Sequence, residues 1–135
     1  MQENDVPEQQ LISIVDDDQC MRDSIRQLVK SFGYAVATFS SAIAFLKSPD
    51  LDLTACLIAD VQMPGMTGDE LYGRLVDDGR TIPTILVTAY PNDRLRARVL
   101  DEGVVCYLHK PFDQNNLISC VRKALKLGSR GDRES

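Results

Sequence analysis

Long apolar runs and an excess of basic residues are both missing from this chain of 135 residues. No apolar run reaches the roughly eighteen residues of a membrane span, and no cationic stretch precedes an apolar one at the amino terminus. We therefore expect no membrane association and no secretory signal, and we predict a cytoplasmic protein. The chain has 15 Lys and Arg residues and 20 Asp and Glu residues, which gives a net charge of −5. Direct binding of nucleic acid is therefore not expected either.

A C-x-x-C pair is also missing, because the four cysteines are widely spaced. Two of them, Cys56 and Cys106, fall inside apolar runs that resemble strands. We interpret all four, with Cys20 and Cys120, as reduced, buried thiols that pack as small hydrophobic side chains. Disulfides or a metal site are the alternatives.

The chain does contain enough apolar residues for one globular domain, with 44% hydrophobic and 26% charged residues. Residues 53–68, LTACLIADVQMPGMTG, are central to the prediction. Their short apolar run stops at Asp60 and turn residues follow, as in strands buried on both faces of a parallel sheet. Asp60 would then lie where open α/β sheets bind ligands. Alternatively, Asp60 only ends the strand and hydrogen-bonds the turn.

Five pairs of a strand and a helix follow one another along the chain. Apolar or alternating runs predict strands at residues 11–15, 34–39, 53–59, 83–87 and 104–108, and helical spacing or capping residues predict a helix after each. Short connections with right-handed crossovers give an α/β fold, a doubly wound, flavodoxin-like parallel sheet in the order 2-1-3-4-5. We predict one domain at residues 10–127, between a disordered segment at residues 1–9 and a disordered tail at residues 128–135.

In that strand order, the carboxyl ends of four neighbouring strands meet at one edge. They bring together Asp16, Asp17, Asp60, Thr88 and Lys110. Clustered carboxylates repel one another, and a hard divalent cation relieves the conflict, so we predict a Mg²⁺ (or Mn²⁺) site. Oxygen ligands do not suit structural zinc. Singly, each residue also has an ordinary explanation: a helix cap for the aspartates, a strand-end hydroxyl for Thr88 and a solvated charge for Lys110.

The combination of clustered carboxylates with a hydroxyl and a lysine suits phosphoryl transfer. A carboxylate beside the metal can attack phosphorus and form an aspartyl phosphate. Lys110, the Thr88 hydroxyl and the backbone N–H of Ala89 stand at neighbouring strand ends, where they could bind the phosphoryl oxygens. The chain has no G-x-x-x-x-G-K-[ST] loop, and three acids replace the hydroxyl- and Gly-rich loop that a flavin phosphate would need. Nucleotide and flavin binding are therefore not expected.

These motifs resemble the receiver domains of two-component response regulators. The matching segments are IVDDD, LIADVQMPGMTG, LVTAY and YLHKPF, and the resemblance covers residues 11–127. The segments MPGMTG and FSSA are similar to receivers that precede LuxR-type helix-turn-helix output domains. The resemblance implies a phosphoacceptor in a phosphorelay rather than an enzyme, which assists its own phosphorylation and dephosphorylation. The alternative is a receiver-shaped interaction module that does not take phosphate.

The resemblance also assigns roles to single residues. Asp60 would accept the phosphoryl group, and Asp17, Asp60 and the backbone carbonyl of Gln62 would ligate Mg²⁺, with Asp16 acting mainly through a metal-bound water. Thr88 and Lys110 would bind the phosphoryl oxygens, and the Lys110–Pro111 bond is expected to be cis.

A conformational switch is implied as well. Tyr107 would turn inward when Thr88 moves toward the phosphate, although as a strand residue alone it could simply be half-buried. Gln62 and Tyr90 would tune the lifetime of the phosphoryl group. His109 is interpreted as a loop residue.

The expected partners are a histidine kinase or phosphotransfer protein and a downstream protein. A homodimer through the fourth helix, fifth strand and fifth helix, formed on phosphorylation, is one candidate assembly. Arg94, Arg96 and Arg98 alternate along the fourth helix and favour a solvated surface over a dedicated partner patch. A single-domain protein and a fragment of a longer regulator both fit the sequence, and the former is slightly favoured.

Overall fold

The predicted sheet is confirmed in the computed structural model, which describes residues 10–134 and the side chains of residues 10–128. The predicted disordered segment at residues 1–9 lies outside the described residues. All strand pairs are parallel, in the order β2-β1-β3-β4-β5. The strands are β1 (Leu11–Val15), β2 (Ala35–Phe39), β3 (Thr54–Asp60), β4 (Thr84–Thr88) and β5 (Cys106–His109).

A helix follows each strand, as predicted. The helices are α1 (Gln19–Ser31), α2 (Ala42–Leu46), α3 (Gly68–Asp77), α4 (Asp93–Glu102) and α5 (Gln114–Glu134), and a short 3-10 helix, Pro49–Leu53, precedes β3. The carboxylate of Asp18 caps α1, and a capping box of Thr67 and Glu70 begins α3. No helix in the described part of the chain is long and apolar enough to cross a membrane.

Each face of the sheet carries its own hydrophobic core. Along β3, Leu57 belongs to the cluster under α2, α3 and α4, and Ile58 belongs to the cluster under α1 and α5. Both side chains are almost fully buried. Burial of such a side chain stabilises the fold by about 1.5–3 kcal/mol. The central strands are therefore held from both sides, which fixes the positions of their carboxyl ends.

The carboxyl end of the chain differs from the prediction. α5 continues to Glu134, whereas a disordered tail was predicted from residue 128. The prediction rested on the loss of apolar residues after Leu127, which excludes burial but not helix. Extending a helix that has already formed adds one hydrogen bond for each residue that is fixed, so the backbone can continue through polar residues.

The interpretation of all four cysteines as reduced and buried was wrong. Cys106 on β5 and Cys120 on α5 are paired as a disulfide, with Cα atoms 6.2 Å apart, and Cys20 is exposed. The packing of α5 against the sheet, in the hydrophobic cluster that also includes Cys106, produces this proximity, which a sequence separation of 14 residues does not reveal. Cys56 is a free, buried thiol as expected, and burial raises its pKa to about 12.

Candidate functional site

The carboxyl edge of the sheet brings the five predicted residues together. Asp16 and Asp17 directly follow β1, Asp60 and Thr88 are the last residues of β3 and β4, and Lys110 directly follows β5. Because β1, β3, β4 and β5 are adjacent and parallel, these ends meet in one place. The expectation that one edge of the sheet gathers these side chains is met.

Three carboxylates form the acidic part of the site. Asp16, Asp17 and Asp60 each offer an oxygen, and these oxygens lie within 4.8 Å of one another. Asp16 and Asp60 are 1% and 5% exposed, whereas Asp17 is exposed to solvent. One carboxylate open to water beside two buried ones fits a hard divalent cation, which takes oxygen ligands and keeps some of its waters.

Burial and mutual repulsion change the acidity of this cluster. The pKa of Asp60 is raised from 3.8 to about 6, first by burial and then by the charge of Asp16. The charge and hydrogen bond of Lys110 and the backbone N–H of Gln62 act in the opposite direction. Asp60 is therefore predominantly ionised at neutral pH, although it binds a proton more tightly than an ordinary aspartate does.

Lys110 bridges the two buried carboxylates. Its Nζ lies 3.0 Å from Oδ2 of Asp16 and 3.3 Å from Oδ1 of Asp60, and its side chain is 13% exposed. Burial alone would lower the pKa of Lys110, but its hydrogen bonds and ion pairs with both aspartates outweigh burial and raise it. The Lys110–Pro111 bond is cis, as expected. Lys110 therefore stays positively charged beside Asp60.

A polar network surrounds Thr88, whose side chain is fully buried. Its hydroxyl donates a hydrogen bond to Oε1 of Gln62 at 2.7 Å and accepts one from the backbone N–H of Tyr90 at 3.0 Å. The family resemblance implies a metal-ligand role for the backbone carbonyl of Gln62 and a role in phosphoryl lifetime, and both stay predictions. The sequence did not reveal the side-chain contact to Thr88, since nothing in the pattern D-x-Q predicts where the amide points.

The remaining predicted residues lie at the rim. Tyr107 is half-buried on β5, and its hydroxyl accepts a hydrogen bond from the backbone N–H of Asn92 at 3.2 Å. Ala89 is exposed directly after Thr88, and Tyr90 is 74% exposed. The roles of these residues in phosphate binding, switching and lifetime stay predictions.

Sequence reasoning missed one structural residue of the site, Gly68. A Cβ at this position would overlap the backbone carbonyl oxygen of Asp60. Its backbone N–H also donates to the carbonyl of Val61 at 3.1 Å. The first residue of α3 thus packs directly against the backbone of Asp60. The only hint in the sequence is a glycine at a helix start that a capping box already defines.

Comparison with known proteins agrees with this geometry. The model of the response regulator receiver domain family matches residues 12–122. This chain therefore belongs to that family, the receiver domains of two-component systems.

Curated relatives include the response regulator protein TmoT of Ectopseudomonas mendocina, which is 35% identical over 120 residues. The match covers 89% of this chain and 54% of TmoT. The transcriptional regulatory protein FixJ of Bradyrhizobium diazoefficiens is 34% identical, with 85% of this chain and 56% of FixJ covered. The chain thus spans about half the length of the curated relatives it matches.

Solved structures give the same fold. The response regulator StyR superposes with a TM-score of 0.85 at 32% identity, covering 94% of this chain and 65% of StyR. The crystal structure of FIXJ-N superposes with a TM-score of 0.78 at 29% identity, covering 89% of this chain and 96% of that one.

Proposed function

We propose that this chain is a phosphoacceptor switch in which Asp60 takes a phosphoryl group from the phosphohistidine of a histidine kinase or phosphotransfer protein. One feature carries the proposal. The ammonium of Lys110 lies 3.3 Å from the Asp60 carboxylate, within the same cluster as Asp16 and Asp17. A nucleophile, a cation for the phosphoryl oxygens and metal ligands are thus available in one small volume.

In the transfer step, a carboxylate oxygen of Asp60 attacks phosphorus. The new O–P bond forms while the P–N bond to the donor histidine breaks, and the imidazole nitrogen keeps the electron pair and takes a proton. Mg²⁺ (or Mn²⁺), held by the carboxylates of Asp17 and Asp60 and the backbone carbonyl of Gln62 with Asp16 nearby, would offset negative charge on both reactants. The raised pKa of Asp60 still leaves it ionised at neutral pH, as a nucleophile must be.

Three donors would bind the transferred group. Lys110 already lies beside Asp60 and would pair with a phosphoryl oxygen, while the Thr88 hydroxyl and the backbone N–H of Ala89 would bind others. Movement of Thr88 toward the phosphate would draw Tyr107 inward and change the surface of α4, β5 and α5. The signalling partner of that surface would be a downstream protein or a second copy of this chain.

Gln62 and Tyr90 would tune the lifetime of the phosphoryl group, because they stand two residues after Asp60 and Thr88 at the mouth of the site. We expect Gln62→Ala and Tyr90→Ala to alter the rate of acid-labile phosphate loss more than the free energy of unfolding. Rates of loss equal to that of the wild type in both variants would contradict this role. We also propose a cytoplasmic location, where histidine kinases of two-component systems phosphorylate their regulators.

Phosphorylation by acetyl phosphate with Mg²⁺ tests the proposal, since it needs no knowledge of the kinase. The wild type should carry acid-labile phosphate and Asp60→Asn should carry none. Asp101→Asn, which alters an exposed aspartate on α4, is the matched control and should be labelled like the wild type. A wild type that takes no label and does not bind beryllofluoride with Mg²⁺ would instead support the interaction module.

A further inference from the structure

The hydroxyl of Thr88 has only one proton, and in this structure that proton is already used. It is donated to Oε1 of Gln62 at 2.7 Å, while a lone pair of the same oxygen accepts the backbone N–H of Tyr90 at 3.0 Å. A carbonyl oxygen such as Oε1 can only accept, so the direction of the short bond is fixed. Thr88 therefore cannot donate to a phosphoryl oxygen without breaking the bond to Gln62.

We propose that the side chain of Gln62 is a positioning residue that holds Thr88 in its unphosphorylated arrangement and so opposes switching. This inference rests on the proposed function, in which Thr88 binds the phosphoryl group. It is separate from the effect of Gln62 on phosphoryl lifetime, because it concerns an equilibrium that exists before phosphate arrives.

The location of Gln62 suits such a role. It is an exposed residue in the loop that follows β3, whereas Thr88 is fully buried at the end of β4. The backbone N–H of Gln62 also hydrogen-bonds to Asp60. This backbone contact and the proposed metal contact of its carbonyl do not involve the side chain. Substitution of the side chain can therefore release Thr88 while leaving those backbone contacts in place.

Gln62→Met removes the side-chain hydrogen bond to Thr88 and keeps the backbone contacts of residue 62, because methionine has a similar length and no strong acceptor. With Mg²⁺ present, we expect Gln62→Met to bind beryllofluoride, a mimic of the aspartyl phosphate, about three- to tenfold more tightly than the wild type, the net worth of one hydrogen bond. Beryllofluoride affinity is an equilibrium quantity and does not contain the hydrolysis rate. Tightening of this kind cannot come from a longer phosphoryl lifetime.

A double-mutant cycle tests whether the effect passes through the Thr88 hydroxyl. In a Thr88→Ser background, which keeps the hydroxyl, Gln62→Met should again tighten beryllofluoride binding. In a Thr88→Ala background, which removes it, Gln62→Met should leave the affinity unchanged. Equal or weaker binding by Gln62→Met, or tightening that persists in Thr88→Ala, overturns the proposal.

A measurement on the metal-free protein provides a second test that needs neither phosphate nor beryllofluoride. Three-bond couplings from the γ-methyl of Thr88 to backbone ¹⁵N and ¹³C′ report its χ1 rotamer. We expect one rotamer in the wild type and averaged values in Gln62→Met. Unchanged couplings in Gln62→Met would contradict the inference that the Gln62 side chain fixes the χ1 rotamer of Thr88. If the wild type fails to bind beryllofluoride, the proposed function fails, whereas the couplings still decide whether Gln62 fixes Thr88.

Discussion

Lys110 forms the only ion pairs that Asp16 and Asp60 make among the described side chains, so its replacement by methionine is a sharp perturbation. Methionine keeps an apolar stem of similar length and removes the charge. Lys110→Met leaves two buried carboxylates, 1% and 5% exposed, facing each other without a cation. We expect Lys110→Met to lower the free energy of unfolding, by an amount that depends on pH and on Mg²⁺.

The magnitude follows from the burial of the three groups. Removal of one partner from a buried ion pair costs about 3–5 kcal/mol. Asp17 is exposed and Lys110 is 13% exposed, so water reaches the cluster and weakens its electrostatics. We therefore expect Lys110→Met to lower the free energy of unfolding by about 2–3 kcal/mol at pH 7.5 without divalent cations.

The pH dependence follows from the pKa of Asp60, which is raised from 3.8 to about 6 in the folded protein. The folded state binds the proton more tightly than the unfolded state, so this group reduces stability as pH rises from 3.8 to about 6, and the penalty is complete above that range. Loss of Lys110 raises the pKa of Asp60 further and enlarges the penalty. At pH 5.0 Asp60 is largely protonated in the folded protein. The decrease in unfolding free energy caused by Lys110→Met should therefore be at least about 1 kcal/mol smaller at pH 5.0 than at pH 7.5.

Urea unfolding followed by circular dichroism measures these differences, at pH 5.0 and 7.5 with EDTA. Lys123→Met, which changes an exposed lysine on α5, is the control and should stay within about 0.5 kcal/mol of the wild type. Saturating Mg²⁺ should stabilise Lys110→Met at least as much as the wild type, since a cation replaces the missing charge. A loss that is the same at both pH values would refute the assigned electrostatics.

Two further changes test the supports of the site. Gly68→Ala should lower the free energy of unfolding by about 1–3 kcal/mol and weaken beryllofluoride binding, because its Cβ would overlap the Asp60 carbonyl. Gly73→Ala, which has open space around it on α3, is the control and should be neutral or stabilising. Equal effects of the two substitutions would contradict the close contact at Gly68. Tyr107→Phe removes the acceptor of the Asn92 N–H and should cost up to about 1 kcal/mol and speed hydrogen exchange at Asn92, whereas Tyr34→Phe should leave that exchange unchanged.

The fold could be predicted from the sequence because local and long-range features agree. The apolar run that stops at Asp60 sets both the end of β3 and its burial on two faces. The capping box of Thr67 and Glu70 independently marks where α3 begins. Given five such pairs, the handedness of the crossovers leaves few strand orders, and the order in turn brings Asp16, Thr88 and Lys110 to one edge.

The missed features depend on side-chain directions or on distances across the sheet. Cys106 and Cys120 meet only because α5 packs on the face of the sheet whose cluster includes Cys106, and neither residue has a sequence context that predicts the pairing. The bond from Thr88 to Gln62 requires a loop side chain to bend over the end of β4. No apolar pattern in the sequence predicts that α5 continues past Leu127. Binary patterns of apolar and polar residues carry none of this information.

Two of the side chains proposed to bind the phosphoryl group are already engaged before it arrives. Lys110 is paired with Asp16 and Asp60, and the Thr88 hydroxyl is bonded to Gln62. Phosphorylation would therefore exchange one set of partners for another instead of satisfying free groups. The free energy of switching is then a difference between two sets of hydrogen bonds and ion pairs. Weakening a single resting contact, as in Gln62→Met, should therefore shift the population toward the switched state.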